Sequence, residues 1–542
     1  PFIHFWKGEL AYRDNRVDDA IRHYNAYLSA GAPANGEANE RSVKYNLGYT
    51  YYRKENYPVA QTFFEPLSRN VALNSDPITQ DAYVRTADVY YMNRNFTQAR
   101  AMYDRVINYS WPAEDYATFQ KAMIAGISNP TEKVTLLNNL IRKFPATVLA
   151  NDANMEIANT YLAQERFGEA IPALNNVVNA SGNNSLKPQA HLKLGIAYYN
   201  SNNADRAIAQ YRQLVTTYPN SPEADVALDN LRTIYIEKGQ PGEYAAVARE
   251  AGKPISVSAE DSLTFAAAEI QYENNNIPAA LDAMNSYLQR FPNGSKAVNA
   301  YFYRAEIYNS RKDWTNAVSN YAEVASRAPN AFAEPSVLQA ARLNFFELKA
   351  YPEAEQYYAQ LKQISASQEN RLEAMRGLLR SQYLQKKWSD AVDNAKELIA
   401  QKGASTDDKS LANMAIGKSA QIAGRYDEAL TAFKAVVAVN KAAVGAEARY
   451  EIANTWFMTD RMSDAEKAAF DVVNKSGSYD YWVTKAYILL GDIYLKQKDY
   501  FNAKATFQSI VQNSLNAELK AEAQEKLNRV NEEEAKESKV GT

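Results

Sequence analysis

Three histidines, His4, His23 and His191, are the only imidazoles in 542 residues. None stands one helical turn from another, so no helix face carries the histidine pair that a hydrolytic zinc site needs. There is no cysteine, which removes thiolate nucleophiles, thiolate-bound metals and disulfides. The adjacent acids Asp18-Asp19 and Asp407-Asp408 stand where they would cap a helix or complement its N-terminal dipole. The glycines occur singly, so no phosphate-cradling loop is written. The serines and tyrosines lack a histidine and acid to activate them. No catalytic, cofactor-binding or metal-binding set is expected, and the chain reads as non-enzymatic. What recurs is tyrosine, 38 of them, a residue that offers a large contact face and a hydroxyl and so suits protein interfaces.

The tyrosines form a stripe around Gly48. Tyr45, Tyr49 and Tyr52 are spaced i, i+4, i+7 on one helix face, one position away from the set Lys44, Leu47, Gly48 and Tyr51. The matching stripe one unit earlier is Phe5, Glu9 and Tyr12; one unit later it is Val84, Asp88 and Tyr91. Side by side they would present an aromatic patch with interspersed acids. The competing reading is that these rings pack on the next unit. Phe5, Tyr12, Tyr45, Tyr49, Tyr52, Asp88 and Tyr91 are the expected groove for a protein or peptide segment bearing some positive charge. His191, Trp314, Trp388 and Trp456 read as core. Trp111 and Trp482, at unit boundaries, are further contact candidates.

A repeated pair of helices must position these stripes. An aromatic residue stands three places before an alanine in Tyr57/Ala60, Phe96/Ala99, Phe167/Ala170, Trp314/Ala317, Tyr351/Ala354, Trp388/Ala391, Tyr426/Ala429 and Tyr500/Ala503, with weaker copies at Ala20, Ala207, Ala280 and Ala465. Ala280, Ala317, Ala354 and Ala391 are each 37 residues apart, and self-similarity at such a period specifies stacked repeats. A small residue, an aromatic three later, an alanine twelve after the small one and a large apolar residue four beyond recur in Gly195/Tyr198/Ala207/Tyr211 and Gly491/Tyr494/Ala503/Phe507. Pro219, Pro292 and Pro329 each stand twelve after the alanine.

This pattern resembles the tetratricopeptide repeat over nearly the whole chain. The resemblance implies an all-α superhelical solenoid of about fourteen helix-turn-helix units, with first helices lining a concave face that serves as the usual ligand groove. The chaperone-cofactor subclass of that family clamps a C-terminal carboxylate with lysine and asparagine. Tyr45 and Tyr49 stand in those places here; Asn159 and Asn454 match the asparagine, but Met155 and Tyr450 replace its lysine. The junctions Tyr218-Pro219-Asn220-Ser221-Pro222-Glu223-Ala224 and Phe291-Pro292-Asn293-Gly294-Ser295-Lys296-Ala297 resemble those of bacterial envelope members, the outer-membrane assembly lipoproteins and TolA-binding periplasmic coordinators. That implies a scaffold in a Gram-negative periplasm or at the periplasmic face of the outer membrane. The alternatives are a cytosolic adaptor, or the regulatory array of an enzyme whose catalytic domain lies outside this sequence.

Residues 1–250 are expected to form one sub-array, 251–262 a joint, 263–514 a second sub-array and 515–542 a capping helix and tail. The joint is read from Gly252, Pro254 and a loss of helical period between Arg249 and Ser262. Charge is balanced, 60 Lys+Arg against 63 Asp+Glu, so no basic stripe marks a nucleic-acid partner. No apolar run is long enough to span a membrane. Pro1 leads straight into the helical run Phe2-Ile3-His4-Phe5-Trp6, which reads as a segment whose leader or lipid anchor lies upstream, and Gly541-Thr542 reads as a cloning remnant. The sequence leaves oligomeric state open.

Overall fold

The computed structural model describes residues 1–31, 34–182 and 185–540, with side chains as far as residue 537; Gly541 and Thr542 lie outside the described residues. The chain divides into two compact units, Pro1–Ser256 and Val257–Thr542. The first contains α1 (Phe2–Arg13), α2 (Val17–Ser29), α3 (Glu40–Arg53), α4 (Tyr57–Leu67), α5 (Pro77–Met92), α6 (Phe96–Asn108), α7 (Glu114–Ala125), α8 (Pro130–Lys143), α9 (Ala150–Ala163), α10 (Phe167–Asn179), α11 (Lys187–Asn200), α12 (Ala204–Thr217), α13 (Pro222–Glu237) and α14 (Pro241–Glu250). The second contains α15 (Val257–Glu273), α16 (Ile277–Arg290), α17 (Ala297–Ser310), α18 (Trp314–Ser326), α19 (Ala333–Arg342), α20 (Tyr351–Ile364), α21 (Gln368–Leu384), α22 (Trp388–Ala400), α23 (Thr406–Ile422), α24 (Tyr426–Val439), α25 (Ala443–Met458), α26 (Met462–Lys475), α27 (Asp480–Lys496), α28 (Tyr500–Asn513) and α29 (Ala517–Val540). Fourteen hairpins and a final helix result, and no strand occurs among the described residues.

One turn design builds the hairpins. At the end of α11, Asn202 takes a left-handed φ of 56°. Its N–H donates to the Tyr199 carbonyl at 3.0 Å, and that of Asn203 to the Tyr198 carbonyl at 2.9 Å. These bonds satisfy the carbonyls that a helix end leaves open. Asn203 then caps the next helix, accepting from the Arg206 N–H at 3.3 Å. Lys312 (φ 59°) and Asp313 repeat the arrangement between α17 and α18. The chain thus reverses in a few residues, and the aromatic of the signature opens the second helix.

Close packing within a hairpin explains the small residues. A methyl group at Gly48 would come within 2.6 Å of the Phe64 ring, and one at Gly377 within 2.3 Å of the Tyr358 ring. The signature alanines Ala60, Ala317 and Ala354 are fully buried at the same helix contacts. Each buried ring contributes roughly 1.5–3 kcal/mol of apolar burial, which offsets the helical cost of glycine, about 1 kcal/mol.

Within each unit the second helix of a hairpin packs on the first helix of the next, and successive first helices also touch, as in α3 with α5, α11 with α13, and α21 with α23 and on to α25. Successive second helices do not approach to the same extent. First helices therefore form the inner side of each stack.

Two features depart from the sequence reading. The segment 257–262, expected to lack helix, is the start of α15; only 251–256 lies between helices. A π-helical turn, Leu343–Glu347, follows α19, with the Leu348 N–H bonded to the Leu343 carbonyl at 2.9 Å. It places Phe345 against Tyr351 and Tyr358 and leaves Phe346 49% exposed. At the C-terminus α29 buries Leu519, Ala523, Leu527 and Val530 on the α28 side of the stack, and its remaining faces are charged.

Candidate protein-binding face

In the first unit the inner seam between first helices is made of tyrosines and acids. Tyr45 and Tyr49, on α3, donate their hydroxyls to Asp81 of α5 at 2.6 and 2.5 Å. Two turns on, Asp88 accepts from Tyr103 of α6 at 2.6 Å, from Tyr116 of α7 at 3.1 Å and from Arg85 at 2.6 Å. Arg85 lies 3.5 Å from Asp81 and faces the Tyr49 and Tyr116 rings. Burial pushes the Asp88 carboxyl up, and prevails over the Arg85 charge and the two tyrosine donors. Burial likewise raises Tyr49 and Tyr45 well above the usual phenol value and Tyr52 to about 12.

This geometry corrects two members of the expected groove. Phe5 is only 3% exposed, packed on Tyr24 and Tyr27, and Asp88 only 2% exposed. Neither offers surface to a partner. The helix-face pattern failed because this stripe still meets the second helix of its own hairpin, α2 at Phe5 and α6 at Asp88, and at Asp88 also the next first helix, α7. Tyr12, Tyr45, Tyr49, Tyr52 and Tyr91 are half-buried. The guanidinium of Arg53 covers Tyr12, and Tyr52 and Tyr91 meet Tyr57 and Phe96 edge-on. Glu9 accepts from Tyr24 at 2.7 Å. Trp111 is buried, its indole N–H bonded to the Leu73 carbonyl at 3.0 Å, and Trp482 lies against Tyr450. His191 is buried beside Gln210.

From α19 onward the second unit builds its inner seam from ion pairs, whereas between α15 and α17 the Tyr303 hydroxyl still donates to Glu269 at 3.1 Å. Arg342 at the end of α19 meets Glu373 of α21 at 2.5 Å, and Arg376 of α21 meets Asp408 of α23 at 2.7 Å. Lys418 of α23 meets Glu447 and Glu451 of α25 at 2.7 and 3.1 Å. Lys526 of α29 meets Asp492 of α27 at 2.7 Å. Burial pushes Asp408 up, but the Ser405 amide and Arg376 outweigh it and hold the group below the usual carboxylate range.

Beside this ladder lies an open cleft that the sequence did not reveal. Cavities of about 300 and 410 Å³ share Phe345, Arg380 and Asp407. Tyr383, Leu384, Leu411 and Val444 line one, and Phe346 and Tyr358 the other. Leu384 and Phe346 are each 49% exposed. The available signal was Phe345-Phe346, two large apolar residues at a first-helix end; the cross-helix register that joins them to Arg380 is not written in any local pattern.

The structure also joins His4 and His23, whose Nδ1 atoms are 3.1 Å apart across α1 and α2. Among the described residues no three His, Asp or Glu side chains gather as a metal site, and no helix is long and apolar enough to cross a membrane.

The tetratricopeptide repeat pattern matches residues 2–36, 45–115, 136–222, 265–332 and 414–481, and a second form of it matches 485–514, together more than half of the chain. No curated protein matches in sequence. Among solved structures the chain is similar to yeast Tom70, at 13% identity over 84% of this chain and 96% of that one, with a TM-score of 0.29. It is also similar to the Cut9-Hcn1 hetero-tetramer of the APC/C, at 11% identity, 90% and 96% coverage and a TM-score of 0.27. A tetratricopeptide repeat protein of Parabacteroides merdae shows 15% identity, 50% and 98% coverage and a TM-score of 0.27. Overlap this loose says nothing about what the chain binds. Arrays of this repeat are protein-interaction scaffolds, and the chain belongs to the tetratricopeptide repeat family.

Proposed function

We propose that the chain is a non-catalytic scaffold that holds a segment of a partner protein on the inner side of its first helices, anchored at the Phe345–Arg380 cleft. The observation that carries this reading is the cleft itself: exposed Phe346 and Leu384 flank a charged side chain in a concave site on the inner face. The half-buried stripe Tyr12, Tyr45, Tyr49, Tyr52 and Tyr91 is the corresponding surface of the first unit. Its hydroxyls at Tyr45 and Tyr49 are already committed to Asp81, which leaves ring edges as its contribution. The envelope setting rests on the two aromatic-Pro junctions at 218–224 and 291–297, with the absence of cysteine compatible with it.

The test is a photo-crosslinking side chain placed in turn at Phe346, at Tyr52 and at Phe501, an 81%-exposed residue on the second helix α28. Adducts to a defined protein from Phe346 but not from Phe501 are the expected result. Adducts from Phe501 alone, or from none of the three, would overturn the inner-face reading. Fractionation of the native protein checks the setting, and recovery in the cytosol would overturn it.

A further inference from the structure

Arg380 stands outside the ladder of ion pairs in the second unit. Arg342, Arg376 and Lys418 each find an acid on the next first helix, 31, 32 and 33 positions along the chain. Arg380 stands one turn after Arg376 on α21. The positions 31 and 32 beyond it are Leu411 and Ala412, which carry no charge. Among the described residues no hydrogen bond or ion pair engages the Arg380 side chain, although it lines both cavities. Of the acids that share its cavities, Glu373 and Asp408 are taken by Arg342 and Arg376 and Asp407 faces Asn440, so none pairs with Arg380, and the space beside its guanidinium is open to solvent.

Resting on the reading of this cleft as the anchoring point, we propose that it receives an internal segment of a partner protein in which one Asp or Glu stands close to a large apolar residue. The carboxylate meets the planar guanidinium of Arg380, a geometry that favours two parallel hydrogen bonds. The apolar side chain enters between Phe346 and Leu384 and removes both from water. Asp407 lines the same two cavities and makes only a long contact with Asn440, at 3.4 Å. Its charge repels a second acid, so the cleft selects a single acid beside an apolar residue over an acidic tract. Exposed Arg380 contributes orientation and specificity, while the apolar walls contribute most of the contact energy.

The experiment selects short random peptides, displayed without a free C-terminus, against the full chain. The enriched peptides are then labelled with fluorescein and titrated by anisotropy against wild type, Arg380→Glu and Phe346→Asp, with circular dichroism to verify the fold. The expected result is enrichment of peptides with one acid next to Phe, Leu or Met. Arg380→Glu should weaken them about tenfold or more, as loss of a hydrogen-bonded charge pair does. Replacing the peptide's acid by its amide should weaken binding similarly, and combining the two changes should add little. Binding lost with Phe346→Asp but indifferent to Arg380→Glu, or peptides without an acid, would overturn the acidic assignment and leave the anchoring cleft standing. Peptides indifferent to both substitutions, or no enrichment at all, would overturn the cleft as well.

Discussion

The inner seams of the two units solve the same packing problem with different chemistry. In the first, tyrosine hydroxyls and one buried arginine converge on Asp81 and Asp88. In the second, from α19 to α25, lysines and arginines pair with acids one hairpin further on. The hairpin turns and the ring-on-small-residue contacts are common to both. The repeat signature therefore fixes how helices pack within and between hairpins, while the seam positions beside it are free to carry either chemistry. The two choices differ in cost: Asp88, sealed behind rings, loses its hydration almost fully, whereas the Arg342–Glu373 pair, 42% and 27% exposed, keeps much of it.

The sharpest way to break this comparison is Asp88→Ala. It strands the mostly buried Arg85 guanidinium and the Tyr103 hydroxyl, and should destabilise the α5–α7 region by about 3–5 kcal/mol. Because repeats couple chiefly to neighbours, hydrogen exchange should quicken in α5–α7 and stay unchanged in α21–α25. Uniform loosening of both units would show that the seams are not separate. Lys418→Met is the counterpart. It leaves Glu447 and Glu451, whose side chains are 16% and 10% exposed, without their cation, for a loss of about 1–3 kcal/mol. Adding Glu451→Gln should restore part of it, as read from exchange in α23 and α25.

Acid should separate the seams by sign. The Asp88 pKa is raised on folding, so between its unfolded value of about 3.9 and its higher folded one the native state holds more protons, and stability there grows as pH falls. The Asp408 pKa is lowered, so its contribution is complete above about 3.9 and is lost as pH falls below that through the folded value. Exchange measured from neutral pH down to about pH 3, corrected for intrinsic rates, should show α5 tightening while the α21–α23 seam loosens only at the acid end; loosening of both together would refute the assignment. Tyr49→Phe removes one hydroxyl while Tyr45 still serves Asp81, and should cost about 0.5–1.5 kcal/mol in α3 and α5. Lys498→Ala, which removes a fully exposed partner of Glu537, should leave exchange in α28 and α29 unchanged.

The hairpins were legible because their determinants are local: an aromatic, an alanine three later and a small residue a fixed distance upstream all lie within one unit. The segment 257–262 was misread because the first turns of α15 carry Ser258, Glu260 and Ser262 and show no apolar period until Phe265. The seams were hidden for a different reason. Whether Tyr49 faces solvent or Asp81 depends on a register across 32 residues, and whether Arg380 has a partner depends on what stands opposite on another helix. The meeting of His4 and His23 is of the same kind. Helix periodicity reports which face a residue occupies and is silent about what that face meets.

The left-handed turn residues bear on how such a chain diversifies. Because backbone hydrogen bonds close each turn, the side chain at its tip is not needed to hold it. Glu55, Arg94, Glu165, Lys312, Lys349, Lys386, Asp460 and Lys498 all occupy that conformation, although glycine or asparagine would adopt it at less cost. These tips recur at every hairpin turn except that between α7 and α8 and are exposed, so their charge can drift without disturbing a single packed contact. In the second unit three successive tips, Lys312, Lys349 and Lys386, are lysines. The fold thereby carries an evenly ruled edge whose electrostatic text is rewritten independently of the scaffold beneath it.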